Sequence, residues 1–284
     1  MGFTPMNQTK KSVSAWILIM VVIAYMGFLI LAPIIALIRG AFEDGVRAVW
    51  ESITSPALGE ALLLSLKIAF LVVLGQAVFG SLVAWVLIRQ NFPGRAFFNS
   101  LIDIPFALSP VVVGYVILLL FGRNGLLYPI VEKFDFQVAF AVPGMFLATL
   151  FVSLPFMIRE MIPVIVNLDR AQEFAAATLG ANQWTIFWRI IFPQLRSALF
   201  YGISLTLARA LGEFGAVLVV GGGVQGRTET TTLYIFRCID ERNTIEAYTA
   251  SILLGAFSVM IVSFADAIKR AQKKRQAAST ELRI

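Results

Sequence analysis

The sequence has no histidine, a single cysteine (Cys238) and few charged residues. Charged side chains occupy 14% of the 284 positions, against about 25% in a typical soluble domain. Without histidine there is no acid–base site built on that residue, and one cysteine allows neither a Cys/His metal cluster nor an internal disulfide. The sequence also lacks a GxxxxGK[ST] phosphate-binding loop. Catalysis and metal binding are therefore not predicted for this chain.

What the sequence does contain is long apolar runs, and hydrophobic residues reach 58%. Six runs approach or exceed the roughly 20 residues that cross a bilayer. They are Val13–Ile38, Ala61–Ile88, Phe98–Phe121, Val138–Ile158, Ala198–Val220 and Ile245–Ile268. Because a backbone inside a bilayer must satisfy its own hydrogen bonds, each run is predicted to be helical. The sequence predicts an all-α membrane protein with six transmembrane helices.

Basic residues are unevenly distributed between the connectors. One set holds Lys10, Lys11, Arg89, Arg95, Arg159, Arg170, Arg189, Arg196 and a basic run at 269–275, while the other set holds most of the acids. The excess of positive charge on one side predicts that both termini are cytoplasmic. It also accounts for the net charge of +6 without nucleic acid. Three regions follow: a tail with the first helix and outside loop (1–60), a five-helix core (61–268) and a basic tail (269–284) beside anionic lipid.

The longest inside connector, 159–197, has the most distinctive pattern, and we call it the coupling loop. Asp169 is placed to cap a short helix, and Glu173 would lie near its positive end. Gly180 is a typical helix stop, and an amphipathic stretch follows until Pro193 ends it before the fifth span. The physical pattern fits a segment lying on the membrane surface as well as one that docks onto another protein.

The coupling loop resembles the EAA loop of ABC importer permeases. Ala175 and Ala176 match the two alanines and Gly180 the glycine, while Ile190 and Pro193 match the ending. One departure is that the family's acid falls on Phe174, whereas Glu173 comes one residue earlier, turned by about 100°. The resemblance implies a coupling helix that docks on a separate ATP-binding subunit. The residues implied in this contact are Glu173, Ala175, Ala176, Ala177, Gly180, Ile190 and Pro193.

Further motifs are similar to those of W-type permeases of sulfate/thiosulfate importers. They are the stretches 91–95, 103–112 and 208–217, with Pro155-Phe156 and Arg159-Glu160. Molybdate permeases share the stretch 209–215, so molybdate, tungstate or another oxyanion stays an alternative cargo. The resemblance implies a type I ABC importer permease (MetI-like) fold in a bacterial inner membrane. It also implies a T-type permease, two ATPase subunits that bind ATP and Mg²⁺, and a periplasmic sulfate-binding protein.

Four polar or helix-breaking residues in the spans are candidates for a pathway or gate. Arg209 and Glu213 are four residues apart near the middle of the fifth span, so they are expected to share a helix face as a gate or as an internal salt bridge. Ser109-Pro110 interrupts the third span, either beside the pathway or as a kink alone. Asp103 is expected to partner a cation or a helix end. A secondary transporter and a membrane scaffold are the alternative classes, and neither explains the coupling loop.

Overall fold

The computed structural model describes residues 13–281, with side chains at 15–268 and 270. This part of the chain is helical and contains no β-strand. The α-helices are α1 (Val13–Ala41), α2 (Gly45–Ile53), α3 (Pro56–Gly75), α4 (Ser81–Arg89), α5 (Arg95–Leu101), α6 (Ile104–Ala107), α7 (Pro110–Phe121), α8 (Tyr128–Lys133), α9 (Val142–Val166), α10 (Arg170–Thr178), α11 (Gln183–Ile186), α12 (Phe192–Leu211), α13 (Gly215–Gly221), α14 (Thr231–Asp240) and α15 (Thr244–Glu281). Two π-helical turns, Gln76–Gly80 and Phe187–Ile191, join α3 to α4 and α11 to α12. Lys10, Lys11 and the side chains of the basic run apart from Arg270 lie outside the described residues.

Five helical stretches of the described chain are long and apolar enough to cross a membrane. They are Ala15–Ala41, Pro56–Arg89, Val142–Val166, Gln183–Leu211 and Thr244–Ile268. A sixth candidate is the pair Arg95–Ala107 and Pro110–Phe121, which is bent by 110° at a short break. The prediction of an all-α, multi-pass membrane protein is confirmed, with five candidate spans, or six if the bent pair counts as one span. The side on which the termini lie stays a prediction.

The third predicted span, Phe98–Phe121, is not one continuous helix. Leu108 and Ser109 are extended, with ψ of 138° and 136°. Pro110 has no amide hydrogen, and its ring pushes the preceding residue out of the helical region. The interruption at Ser109-Pro110 is therefore confirmed, but it is a sharp reversal of direction and not a mild kink.

The coupling loop is shorter than predicted because both flanking helices extend into it. The fourth span ends at Val166 instead of Ile158. The side chain of Arg159 finds acceptors on a neighbouring helix, so its charge does not force the helix to stop. The fifth helical stretch begins at Gln183, before the predicted Ala198. Only residues 167–182 connect the two, and they contain α10.

Pro193 does not end a helix, contrary to the prediction. It lies in the first turn of α12, directly after the π-turn Phe187–Ile191. A first-turn proline is tolerated because the amide that it lacks has no α-helical partner there. The π-turn provides such a start inside a continuous helix.

The fifth span also ends earlier than predicted, at Leu211 instead of Val220. The chain leaves the helix at Gly212 and starts α13 at Gly215. The Glu213 carboxylate accepts a hydrogen bond from the Ala216 N–H at 3.2 Å, and Thr232 donates to the Glu213 carbonyl at 2.7 Å. These partners replace helical ones and stabilise the break.

Three hydrophobic clusters hold the helices together. The largest joins α3, α7, α9 and α13, and a second joins α4, α9 and α12 beside the coupling loop. The third packs Tyr234 and Cys238 of α14 against α3 and α15. Helix α14 lies between the fifth predicted run, which ends at Val220, and the sixth, which starts at Ile245, where no helix was predicted, so its burial is a difference from the sequence analysis. Helix α1 packs against α15 and leaves its apolar surface exposed.

Candidate functional site

The start of α10 is built as the sequence predicts. The Asp169 carboxylate accepts a hydrogen bond from the Ala171 N–H at 2.9 Å. This bond satisfies one of the amides that have no partner at a helix start. Glu173 lies in the first turn, where the helix dipole favours an acid. Both predictions are confirmed.

The end of α10 is a glycine turn. Gly180 has a φ of +84°, a conformation that glycine adopts without a steric penalty. The Gly180 N–H donates to the Ala177 carbonyl and the Ala181 N–H to the Ala176 carbonyl, each at 3.0 Å. This pair of bonds is the Schellman motif. The predicted stop at Gly180 is confirmed.

Large apolar side chains project from the coupling loop into the surroundings. Phe174 is 67% exposed, Leu179 is 89% exposed and Trp184 is 72% exposed. Ala175 and Ala177 are exposed between them, and none of the residues of α10 is buried. An apolar surface of this kind, carried by a tightly capped turn, is typical of a site that contacts another protein or a membrane.

The second half of the coupling loop is anchored in the bundle. Ile190 lies in the π-turn, and the next residue, Ile191, is buried in the cluster with α4 and α9. The Trp188 ring lies 4.9 Å from that of Phe192 between centroids. The predicted residues Ile190 and Pro193 flank this anchor, Ile190 partly buried and Pro193 exposed.

Glu173 pairs within its own chain. Its Oε1 lies 2.5 Å from Nη2 of Arg89, the last residue of α4. The side chain of Phe174 points elsewhere, into an exposed position. From the sequence, Arg89 was only one of the basic residues on the side of the membrane predicted to be cytoplasmic. No sequence signal places it beside Glu173, because 84 positions separate the two residues.

Two helix breaks meet in the middle of the structure. Helices α7 and α13 pack side by side, and a Cβ added to Gly114 would lie 2.6 Å from the Ala216 carbonyl oxygen. A Cβ at Gly215 would lie 3.5 Å from the Pro110 Cβ. Both half-helices therefore begin at the same place, where Ser109 is exposed.

Arg209 and Glu213 form an ion pair at the second of these breaks. Their Nη1 and Oε2 atoms are 2.7 Å apart, and the Glu213 side chain is buried while Arg209 is about a quarter exposed. The predicted pairing is confirmed. The predicted position in the middle of a span was wrong, because Arg209 lies in the last turn of α12 and Glu213 follows the helix end.

Asp103 partners a cation, as predicted. Arg159 donates from Nε to Asp103 Oδ1 at 2.9 Å and from Nη2 to Oδ2 at 2.5 Å. The same guanidinium reaches the side chain and carbonyl of Asn99. A paired, planar contact of this kind is geometrically specific. It fixes the α5–α6 segment to α9.

Comparison with known proteins agrees with this architecture. The family model described as "binding-protein-dependent transport system inner membrane component" matches residues 76–277. The chain is 42% identical to sulfate permease 2, chloroplastic, of Chlamydomonas reinhardtii, covering 92% of this chain and 72% of that one. It is 41% identical to the sulfate transport system permease protein CysW of Escherichia coli K12, covering 86% and 84%.

A solved structure has the same fold. A chain of a bacterial alginate ABC transporter, solved with an alginate pentasaccharide-bound periplasmic protein, superposes with a TM-score of 0.74. The match covers 95% of this chain and 99% of that one at 18% identity, so it speaks for the fold alone. The family model and the sulfate-permease relatives show that the chain belongs to the binding-protein-dependent inner membrane transport components, in the group that the sulfate permeases represent.

Proposed function

We propose that this chain is the transmembrane permease subunit of an ATP-driven importer of sulfate or thiosulfate. The two sulfate-permease relatives described above share 41–42% of residues over most of the chain, which supports the cargo class. The observation that carries the coupling is the capped α10 turn, with Phe174 and Leu179 exposed at its tip. Exposed apolar side chains on a rigid turn are able to pack into a groove on a partner protein.

The proposed assembly contains several other subunits. One permease chain forms half of the translocation pathway, and a T-type permease supplies the other half. Two ATPase subunits bind ATP and Mg²⁺ and carry out hydrolysis, since this sequence has no phosphate-binding loop. A periplasmic binding protein delivers the anion. The complex lies in the bacterial inner membrane, with both termini of this chain in the cytoplasm.

The proposed pathway passes the meeting point of the two helix breaks. Ser109 is exposed there and Pro110 opens the backbone beside it, so hydroxyl and amide groups are available to a weakly held oxyanion. Arg209 supplies positive charge that the buried Glu213 balances. A balanced cation attracts an anion without trapping it, and movement at the breaks gives the gate.

The proposed cycle links this gate to the coupling loop. ATP binding closes the two ATPase subunits and moves α10 with them. The bundle then opens toward the binding protein and receives the anion. Hydrolysis separates the ATPase subunits and opens the bundle to the cytoplasm. This chain contributes no catalytic residue.

Sulfate uptake in cells that co-express the partner subunits tests the proposal. We expect wild-type cells to accumulate radiolabelled sulfate and excess thiosulfate to compete. Gly180→Pro should abolish uptake, because proline cannot adopt a φ of +84° and removes the amide that bonds to Ala177. Uptake of molybdate instead of sulfate would contradict the cargo, and full uptake by Gly180→Pro would contradict the coupling loop.

A further inference from the structure

Arg89 has an environment that a simple membrane-flanking cation does not have. Its side chain is 9% exposed, and its guanidinium lies 4.9 Å from the centre of the Trp85 ring. Its partner Glu173 is 23% exposed, at 2.5 Å. A cation removed from water in this way needs a counter-charge. Glu173 is that counter-charge, so the ion pair joins α4 to α10.

Few other contacts hold α10 to the bundle. Its helix contains no buried residue, and its closest backbone neighbour is α11, the next helix in the chain. The cap from Asp169 is local. Gln194 donates to Gln172 at 3.2 Å, and this bond is exposed. Among the described residues, the Arg89–Glu173 pair is therefore a part-buried polar link from α10 to an element distant in sequence.

The pair also explains the displaced acid of the EAA-like pattern. Successive residues on a helix point about 100° apart, so Glu173 and Phe174 face different directions. Glu173 faces Arg89, and Phe174 is 67% exposed. The Glu173 carboxylate is paired within the chain, and the Phe174 ring beside it stays largely exposed.

We infer that Arg89 is a positioning residue of the coupling loop. By holding Glu173, it sets the orientation in which Phe174 and Leu179 meet the ATPase subunit, and it connects the movement of α10 to the second span. This inference rests on the proposed function, because it assigns how the same loop is held. Arg89 acts through Glu173 and does not itself contact the ATPase or the anion.

Arg89 lies in a helix, α4, that borders a cavity in the helix bundle. Helix α4 continues from the π-turn Gln76–Gly80, and residues of this turn line a mainly apolar cavity of about 740 Å³ together with Glu173 and Phe174. The second π-turn lines the same cavity through Phe187 and Ile191. π-turns inside α-helices occur frequently at functional sites. A force on α10 therefore reaches α4 beside a cavity that leaves room for movement.

Neutral substitutions in the complete co-expressed complex test the inference: each single variant leaves one charge of the pair without its partner, and the double variant leaves none. The variants are Arg89→Gln, Glu173→Gln and the double variant, with Arg89→Lys as the conservative change. The exposed ion pair of Arg47 and Glu51, at 2.9 Å, gives the matched control Arg47→Gln. Each is measured for sulfate uptake per permease molecule and, in a Leu179→Cys background, for cross-linking of position 179 to the ATPase.

We expect each single Gln variant at the pair to lose about tenfold in uptake and the double variant to lose no more than either single one. Arg89→Lys should retain most of the uptake, and Arg47→Gln all of it. Cross-linking should persist but spread over more ATPase positions. Losses that multiply in the double variant, or unchanged uptake in Arg89→Gln, would overturn the inference. Wild-type cross-linking without sulfate uptake would instead refute the cargo, and cross-linking confined to one position in Arg89→Gln would refute the role of Arg89.

Discussion

Gly180 gives the most quantitative prediction about the coupling loop. Its φ is +84°, and an added Cβ would meet no atom within 4 Å. Gly180→Ala therefore introduces backbone strain without a steric clash. Placing an L-residue in the left-handed region costs roughly 1–2 kcal/mol. The turn would be populated about 5- to 30-fold less relative to alternatives.

A graded series follows from the same geometry. Asparagine tolerates the left-handed region better than alanine, so Gly180→Asn should retain more uptake than Gly180→Ala. Gly180→Pro should retain least, because it also loses the hydrogen bond to Ala177. The assay is the initial rate of sulfate uptake, divided by the amount of permease in the membrane.

Gly45 provides a matched control for this series. Its φ is +87°, an added Cβ would also meet no atom within 4 Å, and its N–H bonds to the Phe42 carbonyl at 3.1 Å. Gly45→Ala introduces similar strain at a turn far from the coupling loop in sequence. We expect it to leave uptake per permease unchanged. Equal losses in Gly180→Ala and Gly45→Ala would refute the special role of the α10 turn.

Two further predictions concern packing and the single thiol. Gly114→Val should lower the thermal unfolding midpoint of the detergent-solubilised complex, because its Cβ would lie 2.6 Å from the Ala216 carbonyl oxygen and overpacking costs about 1–3 kcal/mol. The control Gly27→Val should leave the midpoint unchanged, because a Cβ added there meets no atom within 4 Å. Equal midpoints for the two variants would contradict the close α7–α13 contact. Burial raises the pKa of the Cys238 thiol to about 11, so at pH 8 on the order of 0.1% is the reactive thiolate. Maleimide should label Cys238 only after unfolding, as mass spectrometry would show, and rapid labelling of the native complex would contradict its burial.

The sequence predicted the features that depend on neighbouring residues. The cap at Asp169 and the turn at Gly180 follow from local backbone chemistry, and both are present. The apolar runs predicted the membrane helices because length and composition decide that property. Pro110 predicted a break because its ring acts on the residue next to it.

The features that depend on distant partners were not predictable in the same way. Helix α9 passes Arg159 because Asp103 and Asn99, from another part of the chain, accept its hydrogen bonds. The fifth span ends before Glu213, where the carboxylate and carbonyl find other partners. Mean hydropathy along an apolar run does not depend on these individual hydrogen bonds, so it does not predict the helix break before Glu213.

The site shows the same division. Spacing within the coupling loop identified Glu173 as a residue of interest, but its partner Arg89 lies 84 positions earlier. No helix was predicted for α14 because the stretch between the fifth and sixth apolar runs is short and mixes charged with apolar residues. Its burial depends on contacts with α3 and α15, which a single sequence does not reveal.

ATP-dependent accumulation of sulfate in proteoliposomes tests the central claim most directly. The vesicles would hold this chain with its partner permease, the ATPase subunits and the binding protein. The account predicts that sulfate accumulates only with ATP and the binding protein present, and that Gly180→Pro prevents it. Accumulation driven by an ion gradient without ATP would contradict the account and identify a secondary transporter.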